Sequence, residues 1–194
     1  MVREEDLSIA CKLGVDAVGF ILVPSSPRAV GLDDARRLSR SVGTRCTTVA
    51  VFQNPDMNEM KEIIGELKVG LLQFHGNESA EEIETLQHAY IKAFRVGSDF
   101  DVREFLPFKS AHAWLLDSIK NGPQVPSELF KRATDLHPYG RVILAGGLTS
   151  ENLRARLNEC RPYGIDVARG IEQHPRVKNL EKMREFIRVC YNEK

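Results

Sequence analysis

Seven short apolar runs in this chain each end on residues able to do chemistry. In order, those ends are VPSSPR closing at Arg28, Phe52-Gln53-Asn54, Gln73-Phe74-His75-Gly76, Arg95, Asp117, Gly146-Gly147 and Ala168-Arg169-Gly170. They make a polar collar of carboxylate, guanidinium, amide and imidazole groups on otherwise apolar segments. The last two ends, AGGLTSEN and DVARGIE, carry glycines. Small residues let backbone N–H groups approach an anion, and a following helix N-terminus adds partial positive charge. The chemistry expected there is phosphate binding by Gly146, Gly147, Ala168, Arg169 and Gly170. The bland alternative is glycine turning tight corners. Gln73, His75 and Arg95 are assigned to the lining of a substrate site. A single histidine after an apolar strand is more often a hydrogen-bonded structural residue than an acid or base, and Asp166 in GIDV is expected as a buried structural carboxylate. Cys11, Cys46, Cys160 and Cys190 show no CxxC and no metal-like spacing, so neither a metal nor a disulfide is expected.

The segments that must position these residues alternate regularly. Strand-like runs are DAVGFIL (16–22), CTTVAVF (46–52), GLLQFHG (70–76), YIKAFRV (90–96), AHAWLLDS (111–118), RVILAGG (141–147) and GIDVARG (164–170). Between them lie the charged, amphipathic stretches GLDDARRLSRSV, PDMNEMKEIIGELK, SAEEIETLQHA, VREFLPF, PSELFKRATDLH and SENLRARLNEC. NLEKMREFIRVC closes the chain, and Val2–Gly14 opens it with a helix-like apolar stripe at Leu7, Ala10 and Cys11. Ser79 with Glu82, Ser150 with Leu153, and Pro126 mark helix starts. Continuous apolar strands alternating with helices predict a parallel sheet buried on both faces. A doubly wound open sheet would accommodate the count. The preferred reading is α/β, a (β/α)8 TIM-barrel-like fold with about seven parallel strands and eight helices. Short, apolar, evenly spaced strands with no GxGxxG after DAVGFIL favour the barrel, and the opening helix, with no strand before it, implies that the first strand is lacking. Residues 1–194 then form a single barrel domain, incomplete at the N-terminus. In such barrels the site lies at the C-terminal strand ends, where the collar is.

Bulk composition narrows the partners. Lys+Arg and Asp+Glu both number 27, so the net charge is zero, which gives no general attraction to nucleic acid or to an anionic membrane. The longest apolar stretch, AVGFILV, is far too short to span a bilayer, and no signal peptide precedes it. A cytoplasmic protein with a small-molecule phosphorylated substrate is expected.

VGFILVPSSPRAV, VAVFQN, LLQFHGNES, IKAFRV, WLLDS, ILAGGLTSENL and PYGIDVARGIEQHPRVKN resemble, in order and over nearly the whole chain, the strand-end motifs of the phosphoribosylanthranilate isomerase family of tryptophan biosynthesis. The resemblance implies a (β/α)8 barrel and an Amadori rearrangement of N-(5'-phosphoribosyl)anthranilate without metal or cofactor. A general acid protonates the ribose ring oxygen, the ring opens to a Schiff base, and a general base removes the C2' proton. By the same resemblance Asp117 is the general acid and Arg28 meets the anthranilate carboxylate, which a planar guanidinium grips bidentately. Gly146, Gly147 and Gly170 match backbone positions of the phosphate site.

Three departures qualify that expectation. The family's first strand carries Lys-Ile-Cys-Gly, whose cysteine is the general base; here VREED matches the start of the helix after it, and no cysteine of this sequence replaces that base. After Asp117 the family has a Gly-Gly-Thr-Gly loop, whereas this sequence has SIKNGPQVP. Arg169 stands where small serines are usual. A positioned base supplies ~10²–10⁴ in rate, so its loss sets against the isomerase reading a catalytically dead relative that binds a phosphosugar or anthranilate-type ligand. The open strand edges left by the missing strand call for cover, by direct pairing of the strands from DAVGFIL and GIDVARG, by a homodimer partner, by residues encoded upstream of Met1 or by a strand from another protein.

Overall fold

The computed structural model describes residues 1–97, 99–118 and 127–192. In chain order its first elements are α1 (Glu4–Lys12), β1 (Ala17–Ile21), α2 (Leu32–Val42), β2 (Thr47–Phe52), α3 (Met57–Leu67), β3 (Leu71–Phe74) and α4 (Ala80–Glu84). There follow β4 (Tyr90–Val96), β5 (Ala113–Ser118), α5 (Ser127–Ala133), β6 (Val142–Ala145), α6 (Ser150–Cys160) and β7 (Gly164–Ile165). A short hairpin, β8 (Glu172–His174) and β9 (Val177–Lys178), precedes the closing helix α7 (Leu180–Asn192). The alternation expected from the apolar runs is present, and β1 to β7 are parallel. Pro126 and all of SIKNGPQVP after Ser118 lie outside the described residues. Among those residues, no helix is long and apolar enough to cross a membrane.

Two stretches differ from expectation. VREFLPF forms two 3-10 turns, Val102–Glu104 and Leu106–Phe108, instead of an α-helix. Pro107 has no N–H to continue a helical ladder, and the tighter turns aim Phe105 and Phe108 at the neighbouring strands. GIDVARG keeps only Gly164–Ile165 as strand. The Asp166 N–H still donates to Leu144 O at 2.8 Å, after which the chain leaves the ladder and turns as a 3-10 helix over Arg169–Ile171.

The chain forms two compact units. The first comprises Met1–Tyr90 and Glu172–Leu180. Its strands run β1-β2-β3 in parallel, with Phe20 opposite Ala50 and Ala50 opposite Leu72. Side chains in register share a face, so Val18, Phe20, Ala50, Phe52, Leu72 and Phe74 form one buried surface. The helices bring buried Leu7, Ala10, Ala35, Leu38, Met60 and Ile83 to the same core. Ser79 begins α4 with a full capping box, its hydroxyl accepting from Glu82 N–H while the Glu82 carboxylate accepts from Ser79 N–H.

Within the first unit, backbone groups on both sides of β1 are engaged. Leu22 N–H donates to Val51 O and Asp16 O accepts from Thr47 N–H, so the even-numbered residues face β2. The odd ones point the other way. There Gly19 O accepts from the Met1 ammonium, and Ile21 O accepts from Val30 N–H at 2.9 Å. At Ile21 the backbone carbonyl is satisfied locally by the stretch after Arg28.

The second unit comprises Ile91–Ile171 and Glu181–Lys194. Its strands run β4-β5-β6-β7, with Lys92 opposite Trp114, Phe94 opposite Leu116, and Asp117 opposite both Arg95 and Ala145. One face is an aromatic cluster. Phe105 lies 4.1 Å from Phe94, 5.4 Å from Phe100 and 5.6 Å from Trp114 between ring centroids. Trp114 Nε1 donates to Phe108 O at 2.8 Å, and the buried Lys92 ammonium sits 5.5 Å over the Phe108 ring. The opposite face carries Ile91, Ala93, Arg95, Ala113, Leu115 and Asp117, turning polar only at its C-terminal end.

Candidate active site

In the first unit, Arg28 follows β1 in a turn closed by Ser26 N–H to Val23 O and Ala29 N–H to Ser26 O. Its guanidinium is held by a partner the sequence reading missed. Arg28 Nε donates to Glu172 Oε1 at 2.8 Å and Nη2 to Oε2 at 2.5 Å. Lys178, opposite Glu172 in the β8-β9 hairpin, adds a third contact to Oε1 at 3.3 Å. The Glu172 side chain is only 4% exposed. Burial pushes its carboxyl up, but the Arg28 hydrogen bonds and the charges of Lys178 and Arg28 outweigh that, so it is held below the ordinary value and stays ionised. The Glu172 hydrogen bond in turn raises Arg28.

Gln73 is buried on β3, on the face shared with Val51 and Ile21. Its Nε2 lies 2.6 Å from His75 Nε2. Sequence reasoning also missed Glu78. This buried carboxylate accepts from Asn54 N–H at 2.7 Å and from Gly76 N–H at 3.0 Å, tying the ends of β2 and β3 together. Gly76 has no alternative there, because a Cβ would run into the Asn54 side chain and lie 2.7 Å from its backbone nitrogen.

In the second unit, Asp117 is half-buried at the end of β5, and Arg95, opposite it on the same face, is exposed. The chain reaches the Asp117 carboxylate closely at Gly146. That residue has φ +85°, and a Cβ on it would lie 2.9 Å from Asp117 Oδ1 and overlap the Ser118 hydroxyl. Ser118 Oγ donates to Gly146 O at 3.3 Å. Gly147, φ 68°, presents its carbonyl to Asn152 Nδ2 at 3.0 Å. The two glycine-bearing ends do meet: a Cβ on Gly170 would overlap the Leu148 carbonyl oxygen and lie 3.3 Å from Thr149 Cα. Ala168 and Arg169 are exposed beside them. Asp166 is also exposed, contrary to the buried carboxylate expected, because strand pairing stops at its own N–H and its side chain is left outside the ladder.

The cysteines all lie away from the C-terminal strand ends. Cys11 is on α1, Cys160 ends α6, Cys190 is on α7, and Cys46 precedes β2. Cys11 and Cys46 sulfurs lie 3.0 Å apart. Burial and the Cys11 contact push the Cys46 thiol up to about 12, and burial pushes Cys160 up to about 11. Thiols so raised stay protonated at neutral pH.

Against known proteins, residues 1–189 match the family model described as N-(5'phosphoribosyl)anthranilate (PRA) isomerase. The N-(5'-phosphoribosyl)anthranilate isomerase of Azotobacter vinelandii is 39% identical over 198 residues, covering 99% of this chain and 95% of its own length. The crystal structure of phosphoribosyl anthranilate isomerase from Thermotoga maritima superposes with a TM-score of 0.90 at 27% identity, covering 99% of this chain and 96% of that one. A phosphoribosyl anthranilate isomerase crystallised in complex with reduced 1-(o-carboxyphenylamino)-1-deoxyribulose 5-phosphate superposes at 0.85, with 27% identity and coverage of 99% and 95%. The fold class is therefore α/β of the TIM-barrel-like type those structures share.

Proposed function

The chain belongs to the phosphoribosylanthranilate isomerase family, and from that premise we propose that it serves tryptophan biosynthesis by the Amadori rearrangement of N-(5'-phosphoribosyl)anthranilate. The observation that carries the reading is the match over residues 1–189, joined to a carboxylate at the end of β5 that Gly146 approaches closely. In this reading Asp117 is the general acid. It delivers a proton to the ribose ring oxygen as the C1'–O bond breaks and nitrogen supplies the electron pair of the Schiff base. Loss of the C2' proton then gives an enamine whose enol tautomerises to the ketone. Arg28 takes the anthranilate carboxylate, and Gln73, His75 and Arg95 line the substrate. Gly146, Gly147, Ala168, Arg169 and Gly170 attend the phosphate. Gly146 and Gly170 are also needed for the chain's own close approaches, so their phosphate role rests on the family match.

The base is assigned outside the four cysteines present, on the Lys-Ile-Cys-Gly strand that the resemblance sets before α1. That the relatives are isomerases favours turnover, and the binding-only alternative gains no support from them. The test follows loss of the substrate's anthranilate fluorescence, for the chain itself and for the chain extended before Met1 by such a strand. Asp117→Asn in the extended protein is expected to lower turnover by ~10²–10⁴ with circular dichroism unchanged. Turnover equal to that of the unsubstituted protein would remove Asp117 from its role.

A further inference from the structure

We infer that Glu172 is a positioning residue that divides the Arg28 guanidinium into two edges, keeping one for itself and turning the other toward the carboxylate of a ligand. The inference rests on the carboxylate-binding role of Arg28 proposed above. A guanidinium offers one bidentate edge through Nε and one terminal nitrogen, and a second through its two terminal nitrogens. Glu172 occupies the first edge, through Nε at 2.8 Å and Nη2 at 2.5 Å. Among the described residues Nη1 has no hydrogen-bond partner, yet no buried side-chain nitrogen or oxygen is unsatisfied. Nη1 is therefore open to solvent, on an arginine whose whole side chain is only 22% exposed. The Nη1–Nη2 edge is the one left for a second carboxylate.

The rest of the first unit fixes the clamp. Lys178 Nζ holds Glu172 Oε1, and Lys178 N–H donates to the buried Asp6 carboxylate of α1 at 3.2 Å. Arg176 Nη1 donates to Ala29 O at 2.9 Å, so the hairpin turn is tied to the residue next to Arg28. A buried ion pair is a poor source of stability, since desolvation offsets much of the attraction. What this one provides is direction: the arginine's planar fork is already oriented when a ligand arrives, and less freedom is lost on binding.

Calorimetry on the whole chain decides the matter with two probes: the reduced 1-(o-carboxyphenylamino)-1-deoxyribulose 5-phosphate, and the same molecule without its carboxyl group. The unsubstituted protein is expected to prefer the carboxylated probe about tenfold or more, the range of a charge-assisted hydrogen-bond pair. Glu172→Gln, which keeps the side-chain shape, is expected to bring that preference below about threefold while affinity for the decarboxylated probe stays unchanged. Arg28→Lys is the second variant. Its single nitrogen is taken by Glu172, so the preference is expected to vanish although the charge remains. A preference kept in either variant overturns the inference, as does an equal loss of both probes, which marks a merely structural pair. If the unsubstituted protein shows no preference, the proposed role of Arg28 fails first and the inference goes with it.

Discussion

Single residues decide most where the backbone comes closest. Gly170 approaches the Leu148 carbonyl so nearly that any side chain must push two loops apart. Gly170→Ala is expected to cost ~1–3 kcal/mol or more, read as a lower urea midpoint at unchanged m-value. An unchanged midpoint would mean that the Leu148 turn yields freely. At this scale the strand-end residues were legible because polar groups capping apolar runs stand out in a linear text. Asp117 and the paired glycines do stand at the ends of β5 and β6, and Gly146 abuts the Asp117 carboxylate. Glu172 and Glu78 were not visible. Glu172 meets Arg28 across 144 positions of sequence, and no local pattern encodes such a partner. Asp166 misled for a related reason. GIDVARG reads as a buried strand by composition, but only its first two residues keep ladder pairing.

Among elements, the parallel strands followed the apolar runs within a residue or two at most ends, since a strand buried on both faces leaves little else to choose. The Ser79–Glu82 box likewise began α4 as read. Helices were harder where tertiary contacts outweighed periodicity. VREFLPF carries apolar residues at helical spacing, yet its rings serve as a lid on the β4-β5 face. Phe105, fully buried, is the centre of that lid, touching Phe94, Phe100 and Trp114. Phe105→Ala is expected to destabilise the protein by ~3–5 kcal/mol, the cost of emptying a packed aromatic site, as measured by urea titration. A loss below about 1 kcal/mol would show that Phe94 and Phe108 close the gap unaided. The opening helix raised a different question, the free edge of β1. The Val30 N–H donated to Ile21 O answers part of it, through a backbone group whose reach side-chain patterns do not reveal.

For the molecule as a whole, fold class was readable because the alternation of strand and helix runs from end to end, and the family's motifs arrive in register along it. How residues 1–194 respond as a body is a separate matter, and one indole makes it measurable. The sequence has a single tryptophan, Trp114, only 2% exposed inside the Phe105 cluster of the second unit. Its emission is a reporter lodged on one side of the chain, silent about Met1–Tyr90, whereas far-ultraviolet ellipticity sums over every helix in both units. The single-domain reading expects the two signals to trace one superimposable melting curve. Separate midpoints would mean that the spectrometer had caught one unit dissolving while the other still held its shape.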